Sequence, residues 1–426
     1  MTSSLVGSEM CIRDSNKEND MNKEYIYKKS SSLSVNVAAS KVESLRKVVE
    51  TTSTVRVYDN GLIGVAGQIG DCDMKKLEAE AIKNLENKIP YPCVPSPVIV
   101  KSENTIKNIV DTDNFIDVSK RLLARLEKET PDFLFNNKIQ YYEDEVNYIN
   151  DSGSNLSYKG NEFVIALSIK HKSTANLMDL TYVSETNDYD EDKAVQDVKK
   201  LYDAFNTPAS IENGKYKVIA SPAVFIETAL GNFMAHMYAS GATVFKDGLN
   251  KKILNDKLSI YADYTDDAIN VPFFDDEGDV AENGKSYLIE NGVLKALFAN
   301  KNAAALYNVP RVVSSSASYD GVPSTGFGSL RFEETATDVK ELIGDDTAVF
   351  VMMVGGGDTT SSGDYACPVH LAFLVKNGEI VGKLPPLSVT GNIKDYLNGG
   401  YVGTAEKGFL NRRGQLSVCE MDVTNI

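Results

Sequence analysis

An α+β fold in two domains is what the 426-residue sequence predicts, and three features carry that expectation. Asn-Gly pairs recur between short apolar runs, at residues 60, 213, 283, 291, 377 and 398. Asn-Gly tolerates the positive φ angles of a type I′ turn, so such pairs mark antiparallel hairpins. Three capped segments in the first half carry apolar residues at a helical period. A fourth, in the second half, is apolar nearly all round and reads as one buried helix.

Residues 1–20 (MTSSLVGSEMCIRDSNKEND) show neither a signal-peptide core nor a lasting period. They read as a non-native or disordered extension, VGSEMCIRDS resembling translated adapter read-through, with Met21 as the start. Thr54–Gln68 (TVRVYDNGLIGVAGQ) reads as a hairpin. Asp73 is placed to cap a helix over Met74–Lys88, with Leu77, Ala81 and Leu85 on one face. Asp117 is placed to cap Val118–Glu129, which stops before Pro131. Glu191–Phe205 aligns Val195, Val198, Leu201, Tyr202 and Phe205 in one stripe.

Pro, Asn and Gly then cluster over residues 206–215, which places a domain boundary there. The division is 21–205, an N-terminal α/β domain of antiparallel hairpins and helices, and 206–426, a domain rich in antiparallel sheet. In the second, Ser221 is an N-cap candidate, Pro222 suits the first helical position and Gly241 suits the stop. A single buried helix between them would carry Glu227 inside it. A buried, unpaired carboxylate is costly, so Glu227 calls for a partner or a cleft. Tyr287–Leu297 and Leu371–Val381 read as hairpins, and Ala348–Val354 as a buried strand.

Composition narrows the functional classes. There are 60 acidic against 44 basic residues, a net charge of −16, which disfavours nucleic-acid and anionic-membrane partners. The five cysteines are scattered and form no CxxC pair; the three histidines are far apart and no HExxH occurs. No apolar run approaches the ~18 residues of a membrane span. A reducing cytoplasm is the expected compartment.

Four stretches stand out chemically. Asp263–Asp279 has seven acidic residues in seventeen; a solvated acidic turn outweighs a calcium loop, because the spacing fits no EF-hand. Val354–Asp364 (VGGGDTTSSGD) lacks the P-loop lysine. Close approach of free backbone to an extended ligand and a plain sharp turn stand equal there, with phosphate binding well below. Cys367 and His370 are three apart, so on a strand they point to opposite faces and read as packing residues. His236 reads as a structural helix residue and His171 as a surface strand residue.

The order of several pieces gives a more specific reading. These are IETALGNFMAHMYASGATVF at 226–245, FFDDEG at 273–278, LIENGVLKALFANKNAAAL, GGGDTTSSGDYA at 355–366, LVKNGEIVGKL and LSVTGNIKDYLNGGYVG at 387–403. Together they resemble the TldD/PmbA family, also called modulator of DNA gyrase or TldD/TldE, over most of 206–426 and more weakly over 32–88. The resemblance implies a metallopeptidase complex. TldD-type members carry HExxxH on the helix and a Cys near the C-terminus, with the Glu as general base for a zinc-bound water. Here Ile226 and Gly231 stand at the His positions and Glu227 is retained. The Cys position falls near Arg413–Gly414, with Cys419 about five residues further along. His236 lies about 14 Å from Glu227 along an ideal helix and cannot substitute.

The resemblance therefore implies a zinc-free TldE/PmbA-type subunit, with Glu227 vestigial, no cofactor in this chain and zinc in a TldD-type partner. It implies a heterodimer, or self-association, acting on extended or unfolded peptides. Gly355, Gly356, Gly357, Asp358, Thr359 and Thr360 are the candidate peptide-binding loop. Two rival readings stand beside it. One is an independent homodimeric peptidase binding metal through Glu227, the Asp275–Glu277 acids and His370. The other is a non-catalytic peptide-binding scaffold. The gyrase label establishes no contact with gyrase.

Overall fold

The computed structural model describes residues 21–92, 96–265 and 267–426. The leading twenty residues, on which the extension reading falls, lie outside the described residues. So do Cys11 and Cys93.

The first sheet has eight strands and is built on two long hairpins. β1 (Asn22–Ala38) pairs antiparallel with β2 (Lys41–Asp59), and β2 pairs with β3 (Leu62–Ile69). Asn60 and Gly61 turn that last hairpin at φ 49° and 76°, as the Asn-Gly reading expects. Strands 133–150 and 155–171 form the second long hairpin, and the first of them pairs with β1. Side chains alternate between the two faces of such a sheet. One face buries Val55 and Val57 against Leu77 and Ala81 of α1 (Met74–Asn84). Further along, the same face packs Val35, Phe135, Phe163 and Ile165 against α2 (Phe115–Glu129) and α3 (Glu191–Phe205).

The three helices match their sequence signals closely. Asp73 accepts the Lys75 and Lys76 backbone N–H groups, and the last turn tightens to a 3₁₀ form over Leu85–Asn87. Asp190 caps α3 through the Asp192 and Lys193 N–H groups. α2 starts one turn early, at Phe115, so Asp117 sits in the first turn and Asn114 takes the N-cap position. A carboxylate in the first turn is favourable against the helix dipole, which explains the misplaced start.

The second sheet has nine strands and closes on itself. Strand 416–425 pairs with 214–220 and with 387–392. The path continues through 364–376 and 348–354 and returns to 214–220. Asn291-Gly292 and Asn377-Gly378 turn the two hairpins read from sequence.

The single buried helix does not form. Pro222–Ile226 is α-helical, Glu227–Phe233 is 3₁₀, Met234 is extended at φ −74°, ψ 135°, and Ala235–Ala239 is α-helical again. Gly231 weakens the helix interior. The Asn232 side chain takes a local alternative, donating to the Ala229 carbonyl at 3.2 Å and accepting the Val244 N–H at 3.0 Å. The apolar positions are still buried (Phe225, Ile226, Ala229, Phe233, Ala235), but the break turns Glu227 outward, where it is exposed. Its expected burial is corrected accordingly.

The acidic stretch is likewise not a solvated turn. Phe273 and Phe274 pack on Ile26, Val146, Tyr148, Leu156 and Tyr158 of the first sheet. Asp275 and Glu277 are buried behind them. Arg311 stands 3.3 Å from Asp275 and 3.6 Å from Glu277, and also pairs with Asp279. Asp275 further accepts the Ser315 and Glu277 N–H groups at 3.0 Å, and Glu277 accepts the Lys301 N–H at 2.9 Å. From the first sheet, Lys28 pairs with Asp276 at 2.5 Å, Arg56 donates to the Asp276 carbonyl and Tyr91 donates to Glu277. Arg56 is in turn held by Glu24 at 3.4 Å, and Tyr58 and Tyr148 donate to the same carboxylate.

Removing one member of a buried ion network leaves its partners charged and unpaired. Arg311→Ala is expected to cost about 3–5 kcal/mol in chemical denaturation. Glu162 gives a pH signature. Burial raises its carboxyl to about 7, with the charges of Glu185 and Asp144 adding to it. A carboxylate whose folded pKa is raised loses its contribution to stability as pH climbs through that range. Glu162→Gln is therefore expected to stabilise the protein by about 1–2 kcal/mol at pH 8. The gain should fade towards pH 4 in denaturation curves taken across that range.

Candidate functional site

The broken segment 222–233 and the glycine-rich loop meet at one end of the second sheet. Pro222 occupies the first helical turn after Ser221. Two tyrosines pin that turn: Tyr365 donates to the Val224 carbonyl at 2.9 Å and Tyr396 to the Phe225 carbonyl at 2.8 Å. Glu227 and Thr228 follow, both exposed. The Thr228 hydroxyl lies 2.7 Å from that of Thr359. This contact brings the retained glutamate's segment to the 355–360 loop, across 131 residues of sequence.

Strand 348–354 runs directly into the loop. Asp358–Thr359 then pairs with Tyr365–Ala366. The Gly355 N–H donates to the Pro368 carbonyl at 2.8 Å, and a Cβ at Gly355 would overlap the His370 ring. Gly356 sits at φ 95°, a conformation that L side chains rarely adopt. Cys367 donates its thiol to the Gly356 carbonyl at 3.0 Å. The strand alternates as expected: Tyr365, Cys367 and Val369 are buried, while Asp364, Ala366, Pro368 and His370 are exposed. Burial pushes the Cys367 thiol up.

At the far end of the loop Ser362 donates to Asp364 at 2.6 Å and Asn392 at 2.9 Å. These bonds, Ser362 first, hold the Asp364 carboxyl below the usual carboxylate range. The loop is thus a fixed, exposed turn whose backbone approaches the surface without side chains at Gly355–Gly357.

Comparison with known proteins places this architecture. Residues 213–415 match the family described as PmbA/TldA metallopeptidase C-terminal domain. Over 408 residues the chain is 25% identical to a protein named metalloprotease from Archaeoglobus fulgidus, covering 90% of this chain and 93% of that one. Both halves of the chain are thus similar to proteins of the TldD/PmbA family. A metalloprotease from Methanocaldococcus jannaschii is 30% identical over 197 residues, 43% of this chain and 42% of its own length.

The crystal structure of TldE from Thermococcus kodakarensis shares the fold, with a TM-score of 0.79 at 17% identity over 95% of this chain and 97% of that one. So does a structure titled a putative modulator of a DNA gyrase from Thermotoga maritima. Its TM-score is 0.74 at 17% identity, over 96% of this chain and 97% of that one.

The metal implied by the TldD/PmbA family does not fit the side chains at the motif positions. Ile226 is an apolar residue buried in the core, and Gly231 has no side chain. A catalytic zinc needs about three protein ligands. Arg413 and Gly414 lie in an exposed loop, with Arg413 3.7 Å from Asp188. Cys419 is fully buried on strand 416–425, where burial pushes its thiol well up. His236 is exposed beyond the break at Met234. Asp275 and Glu277, which the rival reading offered as ligands, are engaged by the Arg311 guanidinium and, for Glu277, by the Lys301 backbone N–H in the buried network beside the first sheet. Among the described residues no group of three or more His, Cys, Asp or Glu is placed to hold a metal ion.

Sequence reasoning missed the Thr228–Thr359 contact and the two pinning tyrosines. It also missed Asp197, which is buried on α3 and accepts the Asn411 and Arg412 N–H groups at 2.6 and 2.9 Å. That clasp fixes the loop in which Arg413 and Gly414 lie. An aspartate on the apolar side of a helical stripe, beside Val198 and Leu201, was the available signal.

Gly356→Ala is expected to lower stability by about 1–2 kcal/mol through its φ alone. Gly399 serves as control, because it has no positive φ and a Cβ there would meet no atom within 4 Å. Gly399→Ala should leave the melting temperature unchanged in the same calorimetric series.

Proposed function

We propose that this chain is a zinc-free, TldE/PmbA-type subunit that supports cleavage of extended or unfolded peptides by a TldD-type partner. The observation carrying this is the replacement of both motif imidazoles by Ile226 and Gly231 within a segment that otherwise keeps its place beside the glycine loop. Hydrolysis by a bound metal needs an activated water, and Glu227 has none of the motif ligands beside it to hold one. The loop Gly355–Thr360 is exposed and brings backbone close to the surface with no side chains over its three glycines, which suits close approach of an extended peptide. In this reading the subunit contributes shape and peptide contacts and the partner contributes zinc. The free thiols Cys72, Cys367 and Cys419 fit the reducing cytoplasm as its compartment. Among the described residues no helix is long and apolar enough to cross a membrane.

Elemental analysis of protein purified without chelators is expected to find well under one zinc per chain. Hydrolysis of an unstructured peptide should appear only after mixing with a TldD-type subunit. One zinc per chain, or metal-dependent cleavage by this chain alone, would overturn the proposal. Glu227→Gln is expected to change partner-dependent hydrolysis by less than about twofold; a loss of ~10²-fold or more would mark it as a working general base.

A further inference from the structure

The glycine loop leaves the second sheet across a half-made strand pair. Val354 stands opposite Val369, which sets Gly355 opposite Pro368. Two residues facing each other in a hydrogen-bonded antiparallel pair exchange both N–H···O bonds. The Gly355 N–H donates to the Pro368 carbonyl at 2.8 Å, but proline has no N–H to return. A side-chain contact stands beside the one bond that remains. His370, two residues beyond Pro368 on the same face of the strand, lies against Gly355. Its Nε2 is the atom nearest to the place a Gly355 Cβ would take, with Cδ2 at 3.0 Å and Cε1 at 2.9 Å from that place. The nitrogen edge of the ring thus fills the space in which a side chain of Gly355 would begin.

The ring is held there and stays at the surface. His370 is exposed, as are Ala366 and Pro368 before it on the strand. Neither imidazole nitrogen has a hydrogen-bond partner among the described residues. Ala366, Pro368 and the three glycines have short side chains or none, so an extended ligand can descend onto the ring. We propose that His370 is a peptide-contacting residue of the glycine loop, its Nε2–H donating to a main-chain carbonyl of an extended peptide laid over Gly355–Gly357. This rests on the reading of the loop given above and adds the group that recognises the ligand. A neutral imidazole carries one N–H donor, and Nε2 is the nitrogen turned to the loop. Every residue of a peptide has a main-chain carbonyl, so the contact reads no sequence. In a folded protein nearly all such carbonyls are already bonded within helices and sheets. The contact therefore selects chains whose backbone is unpaired.

Fluorescence anisotropy of the full chain with two labelled, unstructured peptides of about ten residues, one rich in Lys and one rich in Glu, tests this. Wild type is expected to bind both. His370→Phe keeps a ring over Gly355 but removes the N–H, and should weaken both peptides about fivefold. His370→Gln restores an N–H donor and should stay within about twofold of wild type. Melting temperatures should be unchanged, because the position is exposed. The sequence has three histidines, so the imidazole NMR signals of ¹⁵N-histidine-labelled protein give a second readout. Peptide should shift the signal that His370→Phe removes and leave those of His171 and His236 in place. If the peptides bind wild type and His370→Phe equally, if only one of the two is weakened, or if the His370 signal does not move, the assignment of His370 falls and the loop reading stands. If neither peptide binds wild type, both fall. No readout depends on zinc, on hydrolysis or on a TldD-type partner.

Discussion

Arg311 and the three carboxylates around it fix the acidic loop that docks on the first sheet. Asp275 is enclosed by Arg311 and by backbone N–H groups of Glu277 within the loop and of Ser315 beyond it. Charges taken out of water require compensation at close range, and here it arrives from several directions at once. Arg56 and Lys28 of the first sheet reach the Asp276 end of the loop, and Phe273 and Phe274 seal the contact. Behind this contact the strands that carry the glycine loop are packed on helices of the N-terminal half. The half of the molecule that carries the glycine loop is therefore joined to the first sheet in two ways, by apolar packing on those helices and by desolvated ion pairs at the acidic loop.

Local chemistry made most of the fold legible. The Asn-Gly turns at 60, 291 and 377 reappear with positive φ, and Asp73 and Asp190 cap the helices they precede. These signals act over a few residues and are complete in the sequence. The acidic stretch misled because its counter-charges are remote: Arg56 is 220 residues from Asp276 and Tyr91 is 186 from Glu277. A run of carboxylates looks solvated until the cations that bury it are known. The helix at 222–240 misled for the opposite reason. Its apolar pattern was real and its residues are buried, but Gly231 and the Asn232 side chain supply a competing local geometry that periodicity does not register.

The candidate site was legible in its parts and not in its assembly. The glycine loop and Glu227 were both singled out, and the Thr228–Thr359 contact puts them side by side. The tyrosines that fix Val224 and Phe225 looked like ordinary core residues, because an aromatic ring reveals nothing in sequence about where its hydroxyl points. At the metal positions the reading was simpler. A buried isoleucine and a glycine have no donor atoms in their side chains, whatever surrounds them.

The closed second sheet also shapes how the chain reaches its native state. Strand 416–425 is paired on both flanks, with 214–220 and with 387–392, and it is synthesised after every other strand in that ring. Until it leaves the ribosome, the strand at 214–220 has one unsatisfied edge. Ile219 and Phe350 of the same sheet wait to be packed with Val418, beside the apolar sides of α2 and α3. Pairings that span two hundred residues form slowly, and exposed edges attract the wrong partners in the interval. The nascent chain therefore passes through a long stage in which its first half is made but its core is open. During that stage the unpaired edge and the open core are the parts of the chain most exposed to aggregation.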